Sequence, residues 1–263
     1  MEIDLNADLA EGFGAWRIGD DDALLEVVSS ANVACGFHAG DPLIMDRTVR
    51  RALAGGIDIG AHVGFPDRQG FGRRPMQIEP AELAAMVTYQ LGALAGIARV
   101  AGHRMTHMSF HGALGNMAAA DAELSGPLVR AVAAFDSSLV IVSSTSRAIE
   151  GAAAAAGLMV ATTFLADRAY DDDGLLVSRK LPGAVIHDET QVLARVRRML
   201  REGVVITHSG KALPMRPRSI LLHGDTAGSV DLARGIRREI EAGGGRVVAI
   251  SKQLAPGGGR GQA

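Results

Sequence analysis

The sequence contains little cysteine, few aromatic residues and no excess of either charge. Cys35 is its single cysteine, so no internal disulfide can form and an oxidising compartment is not indicated. The 27 basic residues nearly balance the 29 acidic ones, unlike the strongly basic surfaces that bind nucleic acid or anionic membranes. We therefore expect neither nucleic acid nor a membrane as a partner.

Targeting and membrane-spanning signals are also missing. The chain begins Met1-Glu2-Ile3-Asp4, which lacks the basic start and apolar core of a signal peptide. Gly, Arg or Ser interrupts the longest hydrophobic segments, so no stretch is expected to span a bilayer. These features predict a cytoplasmic protein.

Three common functional motifs are absent from the sequence. There is no Gly-x-Ser-x-Gly elbow and no Walker A loop, which argues against a serine hydrolase and against a P-loop phosphate site. No glycine-rich dinucleotide fingerprint follows the first predicted strand, which argues against a Rossmann domain.

Short apolar runs alternate with amphipathic segments through most of the chain. Seven or eight predicted strands alternate with helices, the pattern of a parallel sheet covered by helices. At 263 residues, this favours one closed or nearly closed β/α barrel over an open doubly wound sheet. We predict a single α/β domain over residues 1–252 and a flexible tail over 253–263.

A few segments depart from this alternation. We predict a helix over Asp20–Ser30, a hairpin over 204–215 and a last strand over Arg246–Ile250. The loop over 63–78 is rich in Gly, Pro and Arg, and loops of this length in a compact domain are usually functional or mobile.

Polar side chains recur where predicted strands end. In Asn32–Pro42, an apolar run is followed by a turn that carries His38 and then by Asp-Pro, which typically opens a helix. The residues at such ends are Asp8, His38, His62, His111, Asp167, Arg168, His223 and Asp225. Because the carboxyl ends of parallel strands share one face of a barrel, we expect these side chains to line one pocket. Histidines and carboxylates together indicate an acid/base site or a metal site.

These residues also have structural interpretations. An isolated histidine more often makes a hydrogen bond at a turn than takes part in catalysis. Asp225 would serve as a helix N-cap, and Asp167 with Arg168 would form a surface ion pair. An arginine such as Arg73 is more often a solvated surface residue than a catalytic one.

Several longer motifs cover most of the chain. They are Ile3–Leu9 with Glu11-Gly12, Ser30–Asp41, Gly60–His62, Phe65–Arg68, Phe71–Arg73, Tyr89–Leu94, Ala166–Tyr170 and Leu222–Asp225. With these motifs the chain resembles the family of the 5-oxoprolinase A subunit, also called the LamB/YcsF family. The resemblance implies an irregular seven-stranded β/α barrel of the glycoside hydrolase/deacetylase type. It also implies opening of 5-oxo-L-proline to L-glutamate with ATP and Mg²⁺, together with the B and C subunits of 5-oxoprolinase as partners.

The chain differs from the family pattern at a few positions. Ser109 stands where the pattern has lysine, and Gly115 where it has tyrosine. Ala10 replaces a usual glycine. The lysine that the family pattern has at position 109 could stabilise a phosphate group or developing negative charge.

The leading hypothesis is an ATP-dependent hydrolase subunit that acts on a small cyclic amide. Its catalytic residues would be Asp8, His38, His62, His111, His223 and Asp225, and its substrate-binding residues Asn6, Asp167, Arg168 and Arg73. Asp8 with His38 or His62 would activate water. His111 and His223 would transfer protons or stabilise an oxyanion, and Arg168 would hold the substrate carboxylate.

Two other functions remain open at this point. Asp8, His38 and His62 are a suitable ligand set for a divalent metal such as Zn²⁺, which predicts a metal-dependent amide hydrolase or deacetylase. The serine at position 109 also allows a catalytically silent ligand-binding subunit. Association into a homo-oligomer is likewise open.

Overall fold

Parallel strands form the centre of the structure, a computed structural model that describes residues 1–226 and 228–254. The strands in these ranges are β1 (Glu2–Leu9), β2 (Ser30–Ala34), β3 (Asp58–Val63), β4 (Met105–Phe110), β5 (Val140–Ser143), β6 (Met159–Leu165), β7 (Val204–Ile206), β8 (Ala212–Pro214), β9 (Ser219–His223) and β10 (Arg246–Val247). The helices are α1 (Asp21–Leu25), α2 (Pro42–Gly55), α3 (Pro80–Ala101), α4 (Gly112–Ala120), α5 (Ala122–Phe135), α6 (Arg147–Ala156), α7 (Glu189–Glu202), α8 (Ser229–Ala242) and α9 (Ile250–Gln253).

Seven of the strands close into a barrel. Their order is β1-β2-β3-β4-β5-β6-β9, and β9 closes the ring because it pairs in parallel with both β6 and β1. Helices surround the barrel, so the predicted seven-stranded β/α architecture is confirmed. The predicted hairpin is also present, as the antiparallel pair β7–β8 outside the barrel.

Three local predictions were wrong. Helix α1 ends at Leu25 rather than Ser30, which is already part of β2. Helix α4 was not predicted, because its four alanines and two glycines give little amphipathic period. The last strand ends at Val247, and the chain then turns into α9, where Asp58 accepts hydrogen bonds from the backbone and hydroxyl of Ser251. Residues 255–263 of the expected tail lie outside the described residues.

Helix α3 departs from the expectation that no segment is long and apolar enough to cross a membrane. Its 22 residues meet that criterion by length and composition. In the folded chain, however, Val87, Leu91 and Leu94 are fully buried, and the helix packs on β3 and on the neighbouring helices. The side chain of Gln90 pairs with both the N–H and the C=O of Gly64, just beyond β3. These contacts are those of a helix that packs one face on the barrel and exposes the other.

The interior of the barrel is polar. Along β1, Asp4, Asn6 and Asp8 alternate with apolar residues that pack under the helices, and all three are buried. Asn32 on β2 accepts from Asn6 Nδ2 and donates to Asp8, so polar groups contact one another from strand to strand. His107 on β4 donates from Nε2 to the same Asn32 oxygen at 3.1 Å. This network lies directly beneath Asp8 and fixes the orientation of its carboxylate.

Asp4 lies at the opposite end of the barrel from Asp8. It accepts hydrogen bonds of 2.6 Å from the hydroxyls of Ser29, Ser30 and Ser219, which come from the starts of neighbouring strands. Burial nevertheless raises the pKa of Asp4 to about 6. The charged carboxylate is therefore held at a cost to the folded state at neutral pH.

Replacement of Asp4 by asparagine should change how stability depends on pH. Because the folded-state pKa lies above the unfolded value of 3.8, the folded chain binds the extra proton, and wild-type stability falls as pH rises through about 6. Urea unfolding should show Asp4→Asn gaining about 1 kcal/mol relative to wild type between pH 5 and pH 7.5. Ser219→Ala, which removes a donor to the carboxylate, should shift the wild-type transition to higher pH. A pH-independent difference between Asp4→Asn and wild type would contradict this origin.

Candidate active site

Three histidines from successive strand ends form one buried cluster. His38 follows β2, His62 lies on β3 and His111 follows β4. The rings of His38 and His111 stack with centroids 3.7 Å apart and planes 6° apart, and His62 stands edge-on to both, at 5.4 and 4.8 Å. The structure therefore brings together three of the predicted site residues, because adjacent parallel strands end on the same face.

Hydrogen bonds determine which ring nitrogens carry protons. The carbonyl of Phe71 can only accept, so His111 donates to it from Nε2 at 2.8 Å. In neutral His111 the other nitrogen, Nδ1, then accepts from His62 Nε2 at 2.9 Å. Ser109 Oγ lies 2.6 Å from His62 Nδ1. The serine that departs from the family pattern thus orients one histidine of the cluster.

Two carboxylates border the histidines. Asp8, at the end of β1, has Oδ2 3.4 Å from His62 Nε2. Glu11 has Oε1 3.3 Å from His38 Nε2 and 3.5 Å from His111 Nδ1. Glu11 was not among the predicted residues, although it lies three positions beyond Asp8. Ala10 between them has φ of 61°, a left-handed conformation that is strained for alanine and turns Glu11 towards the cluster.

The surroundings shift the pKa of four ionisable side chains in and beside the cluster. Burial opposes ionisation of Asp8, but His62, His223 and the hydrogen bond from Asn32 together outweigh it and hold the pKa of Asp8 below its ordinary value. Burial, with Asp8 nearby, raises the pKa of Glu11. Burial and the neighbouring histidines lower the pKa of His38 and of His111. At neutral pH, Asp8 is therefore the anion of the group, beside two neutral imidazoles.

The same side chains fit a divalent metal ion. One ligand atom each from Glu11, His38, His62 and His111 lies within 4.8 Å of the others. In a tetrahedral Zn²⁺ site, neighbouring ligand atoms lie about 3.3 Å apart because each is about 2.0–2.1 Å from the ion. Ligating histidines usually donate their second nitrogen to a carbonyl or hydroxyl, and Phe71 O and Ser109 Oγ occupy those places. The predicted ligand Asp8 lies beside this set, and Glu11 and His111 complete it.

A second pair of predicted residues lies where β9 closes the barrel, next to Asp8. His223, at the end of β9, pairs in register with Asp8 on β1. Its Nδ1 donates to Asp167, 2.7 Å from Oδ2. Burial opposes protonation of the ring, but Asp167 outweighs it and raises the pKa of His223. Arg179, which the sequence did not point to, lies 3.1 Å from His223 Nε2.

The other predicted residues have more limited roles. Asp225 is not the N-cap of α8, which is Gly228, and instead accepts from Arg73 at 2.7 Å. Arg168 is buried, and its guanidinium donates to the carbonyls of Ala184 and Val177 rather than to Asp167. Asn6 lies one layer below Asp8, bonded to Asn32, and its own Oδ1 has no partner among the described residues.

A cavity of about 550 Å³ opens above these groups. Among its lining residues are Asp8, His62, Arg73, Ser109, His111, Arg168, Arg179, Lys180 and His223. Asp8, His62 and His223 thus line the same space, together with three arginines and a lysine. The arrangement can bind a small anionic molecule and exchange protons with it.

Comparisons with known proteins agree with this architecture. The model of the LamB/YcsF family matches residues 3–255. The chain is 71% identical over 254 residues to the second 5-oxoprolinase A subunit of Ralstonia nicotianae, with 97% of this chain and 98% of that protein covered. It is 67% identical to the first 5-oxoprolinase A subunit of Pseudomonas syringae pv. tomato, with 97% and 99% covered. The crystal structure of a lactam utilization protein from Thermus thermophilus superimposes with a TM-score of 0.89 at 39% identity, covering 95% of this chain and all of that one.

Proposed function

The chain belongs to the LamB/YcsF family, and from this premise we propose that it is one subunit of an ATP-dependent 5-oxoprolinase. Its substrate is 5-oxo-L-proline, a five-membered lactam that carries a carboxylate, and its product is L-glutamate. The partners in this proposal are the B and C subunits of the same enzyme. Three relatives that carry the name of the 5-oxoprolinase A subunit match 95–97% of this chain at 53–71% identity.

The single observation that carries the proposal is the placement of Asp8 and His223. They are register partners on β1 and β9 and both line the cavity. Asp8 is held ionised beside His62, whereas Asp167 favours the protonated form of His223. A proton acceptor and a proton donor therefore face the same space, as opening of a cyclic amide requires.

The residues then have distinct roles in hydrolysis. Asp8 and His62 orient a water molecule and take its proton while the water oxygen bonds to the carbonyl carbon. The C–N bond of the ring breaks, and His223 supplies the proton that the departing nitrogen needs. ATP would first phosphorylate the carbonyl oxygen, with ADP as the leaving group, which makes an otherwise poor electrophile reactive. Ring opening then leaves a carboxyl phosphate, and a second water releases inorganic phosphate to give L-glutamate. Asp167 holds the His223 ring in the orientation for this transfer.

The proposal is tested by measuring glutamate and ADP from 5-oxo-L-proline and ATP. The chain is assayed alone and with the B and C subunits of the same source, and turnover is expected in the complete mixture. Turnover by the B and C subunits that is equal with and without this chain would contradict the proposal. Binding of 5-oxo-L-proline without turnover in any mixture would point instead to a silent ligand-binding subunit.

A metal-dependent amide hydrolase is the second candidate, and the Glu11, His38, His62 and His111 set favours it. These residues would hold the ion, which would polarise a carbonyl or lower the pKa of a bound water. All four side chains are buried.

Metal content separates the two candidates. Protein purified without chelator should contain about one metal ion per chain if the second candidate is correct. His38→Ala should then lower metal content and thermal stability together, whereas His208→Ala, on an exposed histidine outside the cluster, should change neither. Full ATP-dependent turnover by metal-free protein would exclude the second candidate.

A further inference from the structure

Arg179 differs from the other arginines of the cavity in what it contacts. Arg73 is paired with Asp225, and Arg168 donates to two backbone carbonyls. In the part of the chain that the structure describes, the guanidinium of Arg179 has one hydrogen-bond partner, His223 Nε2. It forms no ion pair with any described carboxylate. A guanidinium has five N–H donors, so most of those of Arg179 remain available to a ligand.

The contact between Arg179 and His223 restricts what His223 can do. Nδ1 of His223 donates to Asp167, so Nε2 must carry a lone pair in order to accept from Arg179. A proton on Nε2 would face the N–H of Arg179 and break this contact. Arg179 and the transferable proton therefore compete for the same nitrogen.

The charges around the cavity favour an anion at Arg179. Burial lowers the pKa of Arg168 and of Arg179, and the positive charge of Arg73 lowers both further. The nearby carboxylates of Asp167, Asp225 and Asp8 offset only part of this effect on Arg179. A carboxylate relieves this repulsion, and it matches the planar fork of a guanidinium in a bidentate contact. Arg179 lies on the loop between β6 and α7 and outside the barrel strands, so it can change partner without disturbing the barrel.

We propose that Arg179 binds the carboxylate of the lactam and, by leaving His223, frees Nε2 to carry the proton for the ring nitrogen. This inference rests on the proposed function and adds a specificity mechanism to it. A lactam without a carboxylate leaves Arg179 on His223, so it binds weakly and also reacts slowly. The carboxylate is thus recognised by its effect on proton transfer as well as on affinity.

The experiment compares 5-oxo-L-proline with 2-pyrrolidinone, the same ring without the carboxylate. Arg179→Met in the complete enzyme should lower kcat/KM for 5-oxo-L-proline by about 10- to 100-fold. It should leave the low value for 2-pyrrolidinone unchanged or raise it. Lys180→Met, which removes a neighbouring positive charge from the same loop, should have a much smaller effect on the ratio of the two values.

A second measurement does not depend on turnover. The pKa of His223, followed by NMR of the labelled imidazole in the chain alone, should rise when 5-oxo-L-proline is added and should not rise with 2-pyrrolidinone. In Arg179→Met it should already be raised without ligand, because the competing N–H is gone.

The outcomes separate this inference from the proposed function. If the enzyme turns over 5-oxo-L-proline but Arg179→Met lowers kcat/KM equally for both lactams, the inference is overturned and the proposed function stands. The same conclusion follows if Arg179→Met and Lys180→Met have equal effects on the ratio of the two values. If the pKa of His223 rises with 5-oxo-L-proline but no mixture shows turnover, the result supports the inference and contradicts the proposed function. A His223 pKa that neither the ligand nor Arg179→Met changes overturns the inference whatever the activity.

Discussion

Asp8→Asn should lower the turnover of 5-oxo-L-proline by about 10²–10⁴-fold, the usual contribution of a positioned acid or base. Asparagine keeps the size of the side chain and can still accept from Asn32, which holds Asp8 at 2.9 Å. It removes the negative charge that lies 3.4 Å from His62. The substitution therefore leaves the water without its proton acceptor and spares the surrounding hydrogen bonds.

The expected result is a loss in kcat in protein that still folds, with a lower unfolding temperature because the folded state favours the ionised carboxylate. Asp172→Asn is a matched control, because Asp172 lies outside the cavity and is bonded to Lys211, Thr207 and Ser209. Wild-type turnover in Asp8→Asn would remove Asp8 from the mechanism. Activity that falls only in step with the unfolded fraction of Asp8→Asn would show that the charge is needed for folding rather than for reaction.

Gly60→Ala should destabilise the chain by about 3 kcal/mol, a large effect for a single methyl group. A Cβ at Gly60 would lie 2.2 Å from Cδ2 and 2.5 Å from Nε2 of His107. The ring fills the space that the glycine leaves on β3, and it cannot move without losing its bond to Asn32. Displacement of His107 would therefore loosen the support of Asp8 as well, and activity should fall with stability.

Gly96→Ala is the control for this substitution. Gly96 lies on the exposed side of α3, where a Cβ would have no heavy atom within 4 Å. Alanine in a helix interior is favoured over glycine by about 0.5–1 kcal/mol, so this variant should be more stable than wild type. Urea unfolding of both variants tests the pair, and equal effects would contradict the contact that we assign to His107.

The site was predictable where it depended on strand ends alone. His38, His62 and His111 each follow an apolar run, and a closed parallel barrel places such ends on one face. The same rule predicted that His223 and Asp8 would line the same pocket. These residues are distant in sequence, but the alternation of strands and helices already determined their positions.

The remaining site residues depended on backbone detail that no pattern encodes. Glu11 reaches the histidines because Ala10 adopts a left-handed conformation, and a glycine rather than an alanine is the usual sign of such a turn. Arg179 lies in an irregular segment between β6 and α7, where no helix or strand period indicates which way a side chain points. Helix α4 was missed because alanine and glycine carry no polar face.

The closure of the barrel between β1 and β9 has a consequence for synthesis of the protein. Ser219 and Asp4, which bond across that seam, are 215 positions apart in the chain. During translation the first strand must wait, with one edge unpaired, until almost the entire polypeptide has left the ribosome. Asp8 and His223 meet only at that moment, so a nascent chain that ends before β9 cannot form the proposed catalytic pair.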